Sequence, residues 1–235
     1  MSYRVAVKIC GVTDPAAALL SAELGADFLG LNFWPGSPRC VNLERAREIA
    51  VAVRAAAPRV ALVGVFVNPA ARFVEEAAAT VGLDLLQFSG DEPAAAVRPF
   101  AARSIKALRT HDLPAVAAFA ECWALLFDAP RAAASQAPIA QDYGGTGRQW
   151  DYAAAAPALA WAAGTAESAG TAGAGRRVFL AGGIRPDNVR RVIATLRPFA
   201  VDVCSGVESA PGRKDPRLLR QLFQEVGNGQ VDRPT

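Results

Sequence analysis

Short apolar runs alternate with longer segments rich in Ala, Glu and Arg along the 235-residue chain. Eight of these runs, six or seven residues long and rich in Val, Ile, Leu and Phe, are typical of buried β-strands. They lie at 4–10, 27–33, 60–66, 83–88, 104–109, 123–129, 177–183 and 199–205. The segments between them have helical character, and several begin at Asp, Asn or Pro, which favour the start of a helix. Helices are predicted to begin near Asp14, Asn42, Pro69, Glu92, Leu113, Asp151, Pro186 and Asp215.

Repeated pairs of a strand and a helix predict an α/β protein with a parallel sheet. Eight such pairs close naturally into one (β/α)8 barrel, a TIM barrel, which we expect to form a single domain over residues 1–235. The alternative is a doubly wound open sheet, which usually carries a glycine-rich turn after its first strand. Here the first turn reads CGVTD and the glycine-rich turns follow strands six, seven and eight, which favours the barrel. A Gly- and Ala-rich segment at about 163–176 is predicted to be a flexible loop on the face opposite the chemistry.

The amino-acid composition limits which kinds of molecule the protein is expected to bind. The chain has 25 Lys and Arg against 22 Asp and Glu, and this balance argues against nucleic acid binding but is compatible with a small anionic substrate. Four widely spaced cysteines without a CxxC motif, together with one histidine, predict no metal site. No apolar run reaches the length of a membrane span, and the first run is too short for a signal peptide. We therefore expect a cytoplasmic protein with reduced thiols and no membrane partner.

The alternation of side chains along the strands predicts which residues face the inside of the barrel. If Cys10 faces the mouth at the carboxyl end of strand one, Lys8 and Ala6 lie inward beneath it, and Val5, Val7 and Ile9 face the helices. The same alternation places Asp128 inward at the end of strand six and Asp202 inward in strand eight. Strands one and eight are neighbours in a closed barrel, so Lys8 and Asp202 are predicted to pair, because a buried lysine without a partner is costly.

Cys10 and Asp128 each have a structural and a chemical interpretation. A free cysteine is most often a small buried apolar residue, but Cys10 ends its strand directly before Gly11, and an ammonium group on Lys8 would favour its thiolate. Asp128 follows an apolar run and is either a helix N-cap or a carboxylate at the barrel mouth. The mouth is favoured because no helix begins directly after it. The other cysteines, Cys40, Cys122 and Cys204, are expected to be packing residues, with Cys204 near the mouth.

Several motifs together resemble one known family. The chain contains, in order, KICGVTD, GADFLGLNFWPGSPRCV, VGVFVN, LQFSGDE, LLFDA, YGGTGRQWDY, FLAGGIRPDNV and VDVCSGVESAPGRKD. These motifs resemble those of phosphoribosylanthranilate isomerases over nearly the whole chain. The resemblance implies a (β/α)8 barrel that carries out an Amadori rearrangement of N-(5-phosphoribosyl)anthranilate in tryptophan biosynthesis, without a metal or organic cofactor.

The resemblance also implies roles for particular residues. It makes Cys10 the catalytic base and Asp128 the catalytic acid, and it places Arg39 against the anthranilate end of the substrate. Backbone N–H groups in the turns after strands seven and eight are expected to bind phosphate, because barrel enzymes commonly bind phosphate there. These turns contain Gly182, Gly183, Ser205 and Gly206. The YGGTGR loop after strand six is predicted to close over the substrate, with Gly145 and Gly147 in contact with it.

The chain departs from the family pattern at two positions. Ser89 stands where the family usually has a histidine, and Cys204 stands where it usually has a serine. His111 either fills part of the vacated space or is an exposed loop residue. These departures leave two alternatives open: a paralogue that isomerises a related phosphorylated aminosugar, and a non-catalytic subunit that binds phosphosugars. In each case the expected partner is a small phosphorylated molecule, and the expected state is a monomer or a homodimer.

Overall fold

The computed structural model describes residues 4–109, 116–128 and 176–229. Eight parallel strands form a closed barrel in the order β1 to β8, so the predicted fold class is confirmed. The strands are β1 (Ala6–Cys10), β2 (Phe28–Asn32), β3 (Ala61–Phe66), β4 (Leu85–Phe88), β5 (Ser104–Arg109), β6 (Ala124–Asp128), β7 (Arg177–Leu180) and β8 (Ala200–Val203). The α-helices described around it are Pro15–Glu23, Leu43–Ala56, Ala71–Val81, Ala94–Val97, Val189–Leu196 and Pro216–Gly229.

Several helices begin where the sequence predicts because a side chain satisfies their first backbone N–H groups. The carboxylate of Asp14 accepts a hydrogen bond from the backbone nitrogen of Ala17 at 2.8 Å, and Asn42 accepts one from Arg45 at 2.8 Å. Asp215 likewise accepts a hydrogen bond from the backbone nitrogen of Arg217. These three helix starts are confirmed.

Three helices begin two or three residues later than predicted. The helix expected near Pro69 begins at Ala71, and in the other two the expected first residues are held in turns. The helix expected near Pro186 begins at Val189, since the side chain of Asn188 bonds to the carbonyl of Gly183 and the backbone nitrogen of Arg185. The helix expected near Glu92 begins at Ala94. The carboxylate of Glu92 instead accepts hydrogen bonds from the backbone nitrogens of the preceding loops and from Lys106.

The barrel has two apolar layers, as the alternation of side chains predicts. One cluster fills the interior and includes Ala6, Ala124, Leu126 and Ala200. A second cluster lies between the strands and the surrounding helices and includes Val5, Val7, Ile9, Leu125, Phe127, Val201 and Val203. The predicted inward and outward residues of β1, β6 and β8 are therefore confirmed.

The carboxyl ends of β7 and β8 differ from the sequence prediction. β7 ends at Leu180 rather than at 183, because Gly182 and Gly183 have φ values of 92° and 63°, which turn the chain out of the sheet. After β8 comes a 3-10 turn, Ser205–Val207, followed by an antiparallel hairpin that is not among the predicted elements. Its strands are β9 (Glu208–Ala210) and β10 (Arg213–Lys214).

Some predicted features lie outside the described residues. They are His111, Gly145, Gly147, the helix starts near Leu113 and Asp151, and nearly all of the segment 163–176.

Candidate active site

Lys8 and Asp202 form a buried ion pair at the seam between β1 and β8. The two residues are register partners, and Lys8 Nζ lies 2.9 Å from Asp202 Oδ2. The same nitrogen donates a hydrogen bond to Gln87 Oε1 of β4 at 2.8 Å. Burial lowers the pKa of Lys8, but the charge of Asp202 and the Cys10 thiol outweigh it, so the pKa is raised. The predicted pair is confirmed, and Lys8 is charged.

Cys10 lies half-buried at the carboxyl end of β1, one inward position above Lys8. Its pKa is lowered from 9.0 to about 7. The largest cause is a hydrogen bond from the Cys204 thiol; burial and Asp202 act in the opposite direction, while the charges of Lys8 and Lys214 lower the pKa further. A substantial fraction of Cys10 is therefore thiolate at neutral pH, and the predicted help from Lys8 is confirmed.

Cys204 is not only a packing residue, which corrects the expectation from sequence. The thiol is half-buried, and its Sγ lies 3.9 Å from Glu208 Oε1 as a hydrogen-bond donor. Its pKa is raised well above 9.0, chiefly by its interaction with Cys10 and then by burial. Cys40 and Cys122 have no such role in the described part of the chain: Cys40 is exposed, Cys122 is buried, and burial raises the pKa of each.

Arg39 is held beside the two thiols by an ion pair with Glu208. Its Nε and Nη2 atoms donate to the two carboxylate oxygens of Glu208 at 2.9 Å and 2.7 Å. Lys214 Nζ also donates to Glu208, at 2.8 Å, and lies 3.9 Å from Cys204 Sγ. Burial raises the pKa of Glu208, but its bonds to both cations lower it overall. The cluster of Arg39, Glu208 and Lys214 carries two positive charges and one negative charge, so one positive charge is left to attract a thiolate or an anionic substrate.

Asp128 is the last residue of β6 and lies half-buried at an inward position, two residues beyond Leu126 of the interior cluster. Cys10 has the same relation to Lys8 in β1. Because both residues end parallel strands on the inward side, the alternation places both at the mouth of one barrel. β6 and β1 are separated in the barrel by β7 and β8.

The turns predicted to bind phosphate come into contact with each other. Gly182 and Gly183 follow β7, and Ser205 and Gly206 follow β8; all four residues are half-buried. A Cβ atom on Gly206 would lie only 1.9 Å from the carbonyl oxygen of Ile184, so the turns can approach this closely only because residue 206 is glycine.

Comparisons with known proteins agree with this geometry. A family model described as "N-(5'phosphoribosyl)anthranilate (PRA) isomerase" matches residues 7–225. The chain belongs to this family. The N-(5'-phosphoribosyl)anthranilate isomerase of Citrifermentans bemidjiense is 41% identical over 224 residues, which cover 94% of this chain and 96% of the relative.

Solved structures of phosphoribosylanthranilate isomerases have the same fold. The enzyme from Thermotoga maritima is 34% identical, with a TM-score of 0.79, and the match covers 95% of this chain and 99% of the other. A second structure, 33% identical with a TM-score of 0.76 and the same coverage, is a complex with reduced 1-(o-carboxyphenylamino)-1-deoxyribulose 5-phosphate.

Ser89, which replaces the histidine of the phosphoribosylanthranilate isomerase pattern, joins the interior hydrogen-bond network. Gln87 donates from Nε2 to Ser89 Oγ at 2.9 Å, so Asp202, Lys8, Gln87 and Ser89 form one chain of polar contacts. His111, which was predicted either to fill part of this space or to be an exposed loop residue, lies outside the described residues.

Three polar residues of this candidate site were not predicted from the sequence: Gln87, Glu208 and Lys214. The inward position of Gln87 could have been predicted, because it is the one polar residue in the apolar run LLQF and lies two residues after Leu85, which faces the interior. No sequence pattern indicated Glu208 and Lys214, since their approach to Arg39 depends on the hairpin β9–β10.

Among the described residues, no group of three or more His, Cys, Asp or Glu side chains is placed to bind a metal ion, and no helix has the length and apolarity of a membrane span.

Proposed function

We propose that this protein converts N-(5'-phosphoribosyl)anthranilate into 1-(2-carboxyphenylamino)-1-deoxyribulose 5-phosphate, the Amadori rearrangement of tryptophan biosynthesis. The observation that carries the proposal is the placement of Cys10 and Asp128 at inward positions at the carboxyl ends of two barrel strands, with a Cys10 pKa of about 7. Membership of the isomerase family supports the choice of substrate.

Asp128 acts as the acid in the first step. It gives a proton to the ring oxygen of the ribose as the bond between that oxygen and C1 breaks. The lone pair of the anthranilate nitrogen forms a double bond to C1, so the product is an open-chain Schiff base. Asp128 can supply this proton because it lies half-buried at the mouth, within reach of a substrate in the barrel.

Cys10 acts as the base in the second step. The positive nitrogen of the Schiff base makes the proton on C2 acidic, and the thiolate of Cys10 removes it. The electrons of the C–H bond form a double bond between C1 and C2, and the nitrogen recovers its lone pair, which gives an enolamine that tautomerises to the ketone. A base with a pKa of about 7 is suited to this task at neutral pH.

The remaining contacts orient the substrate. Gly182, Gly183, Ser205 and Gly206 offer backbone N–H groups to the phosphate in the turns after β7 and β8. The side chain of Arg39, whose guanidinium Glu208 holds in place, lies against Gly11, the residue after Cys10, and binds near the anthranilate end. The predicted contact of Gly145 and Gly147 with the substrate stays a prediction, because both residues lie outside the described part of the chain. The single domain over 1–235, the cytoplasmic location and the state of monomer or homodimer also stay predictions.

Turnover of freshly prepared N-(5'-phosphoribosyl)anthranilate, followed as loss of its fluorescence, tests the proposal. We expect the unaltered protein to turn over the substrate, and Cys10→Ala and Asp128→Asn each to lower kcat by about 10²- to 10⁴-fold, the usual contribution of one acid or base. Cys40→Ala is the matched control, because Cys40 is an exposed thiol outside the site, and its rate should equal that of the unaltered protein.

Calorimetric titration with inorganic phosphate separates chemistry from binding. Both variants should bind phosphate as the unaltered protein does, since neither residue lies in the turns after β7 and β8. Binding by the unaltered protein without turnover would identify a non-catalytic subunit and overturn the proposed activity. A kcat within a few-fold of normal in either variant would refute the role of that residue.

A further inference from the structure

Two thiols lie side by side where β1 and β8 end. In the parallel register Lys8 is opposite Asp202 and Ile9 is opposite Val203, so the next two residues are Cys10 and Cys204. Neighbouring strands are about 4.8 Å apart, which is within the separation of Cα atoms that a disulfide can bridge. Each thiol also shifts the pKa of the other, as groups that lie close together do. The backbone therefore brings two cysteines that are far apart in sequence next to each other at the ends of adjacent strands.

The surroundings leave both sulfur atoms accessible to each other and to a small reagent. A glycine lies next to each thiol: a Cβ on Gly30 would lie 3.0 Å from Cys10 Sγ, and a Cβ on Gly11 would lie 3.1 Å from Cys204 Sγ. Cys204 Sγ also lies 3.9 Å from Glu208 Oε1 and 3.9 Å from Lys214 Nζ. Both cysteines are half-buried rather than enclosed. A reagent that enters the barrel mouth as a substrate does can therefore reach them.

The two thiols differ in reactivity in the way that stepwise disulfide formation needs. Cys10 is the stronger nucleophile at neutral pH, because its pKa is about 7. The pKa of Cys204 is raised mainly by its interaction with Cys10 and then by burial, whereas the charges of Lys214 and Arg39 lower it. Once the Cys10 sulfur is bound to another group, the largest of these effects is removed, so the pKa of Cys204 falls and a larger fraction of it is thiolate.

We propose that Cys10 and Cys204 are an oxidisable pair that forms a reversible intramolecular disulfide by exchange with a small-molecule disulfide. The Cys10 thiolate attacks the small disulfide, forms a mixed disulfide and releases one thiolate. Cys204 then attacks the Cys10 sulfur, forms the protein disulfide and releases the second thiolate, while the protons of both cysteines pass to the two released thiols. The protein loses two electrons and the small disulfide gains them.

The disulfide removes Cys10 as a base, so oxidation switches catalysis off. This consequence rests on the proposed function, whereas formation of the bond does not. The family's usual serine at position 204 cannot form it, so the pair is a property of this chain rather than of the family pattern.

Mass spectrometry of the full chain after incubation with glutathione disulfide tests the bond directly. The experiment uses a Cys40→Ser background, because Cys40 is exposed and would also react. After the remaining thiols are alkylated with N-ethylmaleimide, we expect the protein to have lost about 2 Da and two alkylation sites, with one cross-linked peptide containing Cys10 and Cys204. The matched variant Cys204→Ser in the same background should instead keep one glutathione on Cys10. Cys204→Ala serves the same purpose should the serine variant fail to fold.

Activity before and after oxidation tests the consequence. Turnover in the Cys40→Ser background should fall more than tenfold on oxidation and return with dithiothreitol. A stable glutathione adduct in place of the protein disulfide, or no reaction of Cys10, would overturn the proposed bond. Full activity of the cross-linked protein would overturn the switch. A protein without isomerase activity from the outset would refute the proposed function, while the masses would still decide whether the disulfide forms.

Discussion

At the scale of single residues, the basicity of Cys10 depends on what donates a hydrogen bond to its thiolate. The lysine beneath it was expected to help, and does, but the Cys204 thiol has the larger effect. A hydroxyl group at position 204 could donate in the same way, since both side chains carry one proton on a heavy atom at the same position. Substitution of the family's serine by cysteine therefore keeps the donor and adds a second sulfur.

Cys204→Ala should raise the pKa of Cys10 from about 7 towards 9.0, because the variant removes the donor to the thiolate. The rate of iodoacetamide alkylation as a function of pH measures this pKa. Because the thiolate is the active base, the pH range over which kcat/KM rises should shift upwards together with the pKa of Cys10. Each unit of pKa above the working pH lowers the thiolate fraction about tenfold. Cys204→Ser is the control and should keep the Cys10 pKa near 7. An unchanged alkylation profile in the alanine variant would show that Cys204 does not stabilise the thiolate.

At the scale of elements, the turns after β7 and β8 form one unit. The glycines at 182 and 183 bend the chain out of β7, Asn188 ties that turn to the following helix, and Gly206 lies against Ile184. The backbone N–H groups proposed to bind phosphate are thus held by contacts between two loops, and a change that separates the loops should weaken phosphate binding without altering Cys10 or Asp128.

Gly206→Ala tests this unit. Its Cβ would lie 1.9 Å from the backbone carbonyl oxygen of Ile184. Because neither atom can rotate away as the end of a flexible side chain can, the two loops must move apart. We expect KM for the substrate to rise about tenfold or more and the free energy of unfolding to fall by about 1–3 kcal/mol, as overpacking usually costs. Steady-state kinetics and urea denaturation measure the two effects.

Gly227→Ala is the matched control for that substitution. Gly227 is exposed in the last helix, no atom lies within 4 Å of its added Cβ, and its φ is not positive. The control should leave KM unchanged and raise the free energy of unfolding by about 0.5–1 kcal/mol, because alanine favours a helix over glycine. Equal KM values for the two variants would mean that the contact between the loops does not position the phosphate site.

At the scale of the whole molecule, an ion pair and hydrogen bonds inside the barrel connect strands that are distant in sequence. Lys8 joins β1 to its neighbour β8 through Asp202 and to β4, across the interior, through Gln87. The ion pair with Lys8 stabilises the buried Asp202 carboxylate, whose second oxygen, Oδ1, has no hydrogen-bond partner among the described residues. The network therefore holds the closing seam together and supports Cys10 directly above it.

Lys8→Met should lower the free energy of unfolding by about 3–5 kcal/mol, because it leaves the Asp202 carboxylate buried without its cation. The double variant Lys8→Met/Asp202→Leu should recover much of this loss, since replacement of both charges by apolar groups removes the unpaired carboxylate. Urea denaturation at neutral pH compares the two. A double variant no more stable than Lys8→Met would show that the loss comes from packing rather than from the unpaired charge.

The sequence by itself determined the barrel, the faces of its strands and the pair of Lys8 with Asp202. These follow from local patterns, because alternation along a strand decides which side chains face inward and closure of the barrel makes the first and last strands neighbours. Resemblance to the family supplied the reaction. Only the tertiary structure decided that the hairpin β9–β10 brings Glu208 and Lys214 to Arg39, that Gly206 lies against Ile184, and that the Cys204 thiol lowers the pKa of Cys10. Such contacts depend on how loops fold back and on the register between strands distant in sequence, and neither leaves a periodic signal in the order of the residues.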